Sequence, residues 1–222
     1  MEEVSNLILK GLLKDLLIAE RSFLLNRSIN QTSITLTNSN KKAISEILYD
    51  LTYTEMVLAI CRLFDHPSKK YKTRCIKQLY TLIEERNFEC QIINKKRVIE
   101  MLPHFGFPAE FQRLLSESST FEFNKRALMF FQSEEINKPI APALEEIKEK
   151  RDKLLSHNEE ITLNTFIPYT SFETLLDYAK NVLSFFALTY AGFELKPTGD
   201  FYLTGDSHKW EIVYERFKEN GG

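Results

Sequence analysis

Apolar residues recur at helical spacing along most of the chain. From 4 to 25 they are dense, with Leu7, Ile8, Leu12, Leu16 and Leu17 among them, and Gly11 is the only weak helix former. This predicts a first, well-buried helix. The uncharged, β-branched stretch NQTSITLTNSN (30–40) has no helical period and predicts a surface loop, with room for a short strand. A second helix is expected over about 42–64, with Ile44, Ile47, Leu51, Leu58 and Cys61 on one inward stripe and Asp65-His66-Pro67 stopping it. A third, basic helix follows over about 71–87, with Ile76, Leu79, Tyr80 and Ile83 inward.

The middle, about 88–133, is less regular. Helical patches near 96–102 and 108–115 are punctuated by Pro103, Gly106 and Pro108, the pattern of an insert or lid. A long helix then starts near Pro139 or Pro142, where proline is tolerated in a first turn, and runs to about His157. The clearest period in the chain is at 171–190: Phe172, Leu175, Leu176, Ala179, Leu183, Phe186, Ala187 and Tyr190. After the loop KPTGDFYLTGD, residues 207–218 predict a last amphipathic helix carrying Trp210, Val213, Tyr214 and Phe217. The expectation is one all-α domain over 1–222, with its core in about 44–87 and 138–218 and an insert at about 88–133.

Composition sharpens this picture. The chain has 222 residues, 43% of them hydrophobic and 27% charged, which suits a folded globular protein rather than a disordered tail. Only 7 Gly and 7 Pro leave little turn chemistry for a sandwich or barrel. A formal net charge of −2 excludes a polybasic nucleic-acid binder, so any such binding rests on a local patch. Cys61, Cys75 and Cys90 cannot all pair and show no CxxC spacing, which suits reduced thiols in a cytoplasm. Lys10 and Lys14 break the N-terminal apolar run before a signal-peptide core is complete, and no run approaches the ~20 apolar residues of a membrane span. The expected setting is cytoplasmic, with no membrane association.

Candidate chemistry concentrates at the end of the long helix. Positions 144, 147, 151 and 154 follow inward spacing, and three are apolar; the fourth is Arg151. A guanidinium at the centre of an apolar stripe needs a partner, which Asp152 supplies in part. His157 is within reach of so long a side chain and sits near a helix C-terminus, where the macrodipole favours imidazolium. Two readings are open from these residues alone: a functional Arg/His pair, or a structural ion pair beside a histidine that caps the helix. A second arginine and histidine at comparable spacing, Arg97 and His104, fail on context because Pro103 and Pro108 break the helix.

RDKLLSHNE (151–159) resembles the signature of the HEPN superfamily: an arginine, then a polar residue, then a histidine four to six residues after the arginine at a helix end. MVLAICRLFD (56–65) is similar to a helix end of the AbiU-like abortive-infection branch, and the two segments lie in that branch's order. The resemblance covers about 44–190, without the middle insert or the extreme C-terminus. It implies an all-α bundle that dimerises, joins two Arg/His pairs in one cleft and acts as a metal-independent endoribonuclease in antiphage or toxin–antitoxin systems. Branches that pair with a nucleotidyltransferase antitoxin carry Tyr two residues after the histidine; Glu159 stands there in this chain.

The chemistry fits those residue types. Cleavage of RNA through its own 2′-OH needs a base for the hydroxyl, an acid for the leaving oxygen and cationic hydrogen bonding to the phosphorane. Imidazole, imidazolium and guanidinium meet these needs without a metal. One histidine cannot be acid and base at once, so a second chain would supply the other. Arg151 and His157 are the candidate catalytic residues, with Asp152 orienting the arginine; Lys153, Ser156 and Asn158 are weaker candidates for holding RNA. The alternative is a HEPN-like helical module that binds RNA or a partner protein without cutting; an antitoxin or defence-system partner belongs to either reading.

Other candidates are weaker. His66, His104 and His208 lack zinc-ligand spacing with the cysteines, so no metal site is expected, and no cofactor motif (P-loop, GxGxxG) or GxSxG occurs. Lys69, Lys70, Lys72, Arg74 and Lys77, like Lys95-Lys96-Arg97, form either an RNA-facing patch or a solvated helix face. Arg62 and Asp65, three apart, are expected to pair and close the second helix.

Overall fold

Val4, Ile8, Leu12 and Leu16 are fully buried at strict four-residue spacing, a series that an α-helix would rotate by about 40° per step. The chain absorbs the drift with a π-turn: α1 (Glu2–Leu7) widens over Ile8–Leu12, where the Leu13 N–H donates to the Ile8 carbonyl, and resumes as α2 (Leu13–Ser33). In the computed structural model the described residues are 2–33, 38–67, 74–87, 89–117, 119–156 and 167–195, without the side chains of 32, 33, 114 and 153–156. All their regular elements are helices or helical turns, so the chain is an all-α bundle.

α2 and α3 (Ser39–Phe64) form a long antiparallel hairpin. Its sense shows in the partners: Asn26 Nδ2 to the Tyr49 carbonyl at 2.8 Å, Ser22 Oγ to Glu55 at 2.5 Å, and Arg62 Nε to Asp15 at 2.9 Å. Helix continues to Ser33, part way into the stretch expected as loop, and Asn38 caps α3 by accepting from the Asn40 and Lys41 N–H groups.

α4 (Ile76–Glu85), α5 (Lys95–Met101), a 3-10 turn (Leu102–Phe105), α6 (Ala109–Glu117), α7 (Thr120–Phe131) and the short α8 (Glu134–Asn137) lead to α9 (Ile140–Ser156) and α10 (Tyr169–Ala191). α10 is the central element. Every residue of its expected stripe is buried, and Gly192, at φ 63°, ends it in the left-handed region that favours glycine. Against α2 it runs antiparallel, tied by Tyr169 to Asn26 at 2.7 Å, Arg27 to Glu173 at 2.8 Å and the ion pair Lys180–Glu20.

Two expectations change. Ile44, Ile47 and Leu51 are not inward: they are 45%, 60% and 61% exposed. Their stripe is covered only toward the C-terminal end of α3, where Cys61 is buried and Asp65 meets Arg151 of α9. α3 packs on α2 through a different face, where Thr52 accepts from Asn26 Nδ2 at 2.9 Å. The middle segment is also more helical than its prolines and glycine suggest, and it belongs to the same core. Phe105, Phe107, Phe123 and Phe131 surround Phe185 of α10 at centroid distances of 5.3–6.1 Å.

A buried polar network ties this segment down. Tyr190 donates to Asn124 Oδ1 at 2.7 Å, and Asn124 Nδ2 donates to Asn87 Oδ1 at 2.8 Å. Each partner pays the desolvation of the other. The helix expected at 207–218 lies outside the described residues. Among the described residues no helix is long and apolar enough to cross a membrane.

Candidate functional site

α9 is seated by Ile140, Ala143 and Ile147, which are buried, and by the stem of Lys150. Arg151 follows beside this seam, its side chain 26% exposed, rather than at the centre of the stripe. Its guanidinium is bracketed. Nε and Nη2 both lie 2.9 Å from Asp152 Oδ1, and Nη1 lies 3.7 Å from Asp65 Oδ1 at the end of α3. The bond to Asp152 raises the arginine pKa further, against the opposing pull of partial burial, so the group stays cationic. Among the described residues these carboxylates leave part of its N–H fork unoccupied.

The expected partner of Arg151 is therefore present in Asp152, and Asp65 is a second one. The expected Arg62–Asp65 pair does not form. Arg62 turns back across the hairpin to Asp15, a long-range contact that local spacing cannot reveal, and Asp65 is left to face α9.

Cys61, 2% exposed, lies close enough to Arg151 to feel its charge. Burial pushes its thiol up to about 11, although the nearby Arg151 charge pulls the other way. A thiol so held is protonated at neutral pH and is no nucleophile.

His157 and Asn158 lie outside the described residues. Lys153 and Ser156 are in the final turns of α9, and their side chains also lie outside them. The structure thus joins Arg151, Asp152 and Asp65. Of the basic runs, Lys77 Nζ lies 3.4 Å from His66 Nδ1, and Arg97 is tied to Glu194. Arg74 reaches back to the Lys10 carbonyl at 3.4 Å. Residues 69–73 are outside the described set. Among the described residues no three His, Cys, Asp or Glu side chains are placed to hold a metal ion.

Asp65 is the residue that sequence reasoning missed. The available signal was its place as the last residue of MVLAICRLFD, the segment that ends α3. No protein-family model, no curated protein and no solved structure matches the chain.

Proposed function

We propose that this chain is a metal-independent endoribonuclease of an antiphage, abortive-infection or toxin–antitoxin system, built as a dimeric HEPN-like bundle. One observation carries the reading. The two segments that resemble the AbiU-like branch, 56–65 and 151–159, are far apart in sequence, and Asp65 and Arg151 bring them together at 3.7 Å. In the proposed reaction the substrate's 2′-OH attacks the adjacent phosphorus and the 5′-oxygen leaves. His157 of one chain takes the hydroxyl proton, His157 of a second chain protonates the leaving oxygen, and Arg151, oriented by Asp152, hydrogen-bonds the phosphorane oxygens. Products end in 2′,3′-cyclic phosphate and 5′-hydroxyl.

The composite centre requires a dimer; a monomer by light scattering at micromolar concentration argues against it. RNA is the substrate, and an antitoxin or other defence-system protein is the proposed partner, in a cytoplasmic setting.

A second reading has its own support. Arg151 is already engaged by two carboxylates, as in a structural ion pair, which favours a HEPN-like module that binds RNA or a partner protein without cutting. Incubation of the purified protein with total RNA, with and without EDTA, separates the two. EDTA-resistant cleavage supports the enzyme. Intact RNA at high protein concentration supports the binding module.

A further inference from the structure

Next to the Arg151 centre, on the other side of Asp65, lies a hollow of about 430 Å³ between the π-turn and the end of α3. Its walls are Lys14, Asp15, Arg62, Asp65 and Arg74, with Gly11 among the lining residues. We infer that this hollow is a phosphate-binding subsite that takes the backbone of a single-stranded RNA next to the Arg151 centre. The inference rests on the RNA reading proposed above and extends it to a place on the surface.

Charge is the first reason. The lining carries three cations and two carboxylates, in a chain whose formal net charge is −2. Both carboxylates are committed, Asp15 to Arg62 Nε at 2.9 Å and Asp65 toward Arg151. Lys14 has no ion-pair partner among the described residues. Among the described residues Arg74 has only the Lys10 carbonyl, at the long distance of 3.4 Å. Among the described residues two cations thus face the same hollow without a matching anion, and a phosphodiester oxygen is the ligand that guanidinium and ammonium groups share.

The backbone is the second reason. Glycine is the poorest helix former apart from proline, yet Gly11 sits inside a continuous helical segment. A Cβ there would lie 2.9 Å from Arg74 Cδ. Glycine leaves room for the arginine stem in its present position, and a side chain at 11 would push it aside. The π-turn supports the same placement, since it carries the Lys10 carbonyl that the Arg74 guanidinium meets. The cation is thereby seated before any ligand arrives, which lowers the ordering cost of binding.

Position is the third reason and selects RNA over other phosphate carriers. Asp65 is at once a wall of the hollow and a partner of Arg151. A strand whose scissile phosphate met Arg151 would pass a neighbouring phosphate over Lys14 and Arg74.

The test uses the full chain and a fluorescein-labelled, single-stranded 2′-O-methyl RNA that cannot be cut, with binding read by anisotropy across a salt series. Lys14→Ala and Arg74→Ala are each expected to weaken binding several-fold. Each should also flatten log K against log salt by about 0.7, the value for one phosphate contact on a single strand. Gly11→Ala keeps every charge and displaces the Arg74 stem. It should weaken binding while leaving the melting temperature equal or higher, a combination that a merely structural role would not give. If the parent binds and all three variants match its affinity and salt slope, the subsite is overturned while the reading of Arg151 stands. A parent that neither binds nor cuts RNA overturns both.

Discussion

Asp65 Oδ1 lies 3.7 Å from Arg151 Nη1, and this contact joins the C-terminal end of α3 to the last turns of α9. Asp152 holds the opposite edge of the guanidinium at 2.9 Å. The arginine is thus fixed from two sides by groups that come from different parts of the chain.

Asp65→Asn keeps the shape of the side chain and releases one side of that fork. The cleavage rate should fall about tenfold, roughly 1.4 kcal/mol of transition-state positioning. RNA affinity should stay equal or tighten, because a negative charge beside the phosphate site is gone. Asp65 is 45% exposed, so stability should change by less than about 1 kcal/mol. An unchanged kcat would show that Asp65 does not position Arg151.

Arg151→Lys retains the charge and loses the planar fork that reaches Asp152 and Asp65 together. It should be as inactive as Arg151→Ala when turnover is assayed on a defined RNA. Recovery of most activity by lysine would reduce the role of Arg151 to that of a point charge.

The buried thiols supply a check that is independent of activity. Cys61, Cys75 and Cys90 are all buried, so iodoacetamide at neutral pH should label the native protein only as fast as it opens. The Cys61 pKa in the fold, about 11, lies above its ordinary value of 9.0. The neutral form is favoured by folding, so its contribution is fully present below about pH 9. That contribution is lost as pH rises toward 11, at a cost on the order of 2 kcal/mol. Urea titrations at several pH values between 8 and 11 should show this decline, and a flat profile would place Cys61 in water.

Phe185→Ala and Ile47→Glu probe the packing from opposite ends. Phe185 is fully buried among four aromatic side chains of the middle segment, so its truncation should cost about 3–5 kcal/mol. Ile47 is 60% exposed, and glutamate there should shift stability by no more than about 0.5 kcal/mol. Equal losses in denaturant melts would contradict this assignment of inside and outside.

What was legible in the chain depended on how locally each feature is encoded. The 172–190 stripe was readable because α10 is covered along its length, so every apolar position at helical spacing is also a buried one. The stripe through Ile44, Ile47 and Leu51 has the same spacing, but which half of α3 is covered is decided by α9 and α10, far along the chain. Arg62 and Asp65 satisfied the local rule for an ion pair and chose distant partners, Asp15 and Arg151. The π-turn was encoded in the four-residue spacing of Val4, Ile8, Leu12 and Leu16, a pattern that a fixed helical period hides. Arg151 and Asp152 were visible as a candidate pair because they are neighbours on one helix; Asp65 was not, because only the fold brings it there.

The most direct measurement is end-group analysis of RNA incubated in EDTA with the parent protein and, in parallel, with His157→Ala. The expected result is cleavage by the parent alone, with products ending in 2′,3′-cyclic phosphate and 5′-hydroxyl, while His157→Ala remains folded by circular dichroism and leaves RNA intact. Cleavage by folded His157→Ala at the parent's rate, or products that end in 3′-hydroxyl, would contradict an Arg151/His157 centre that works through the substrate's 2′-OH.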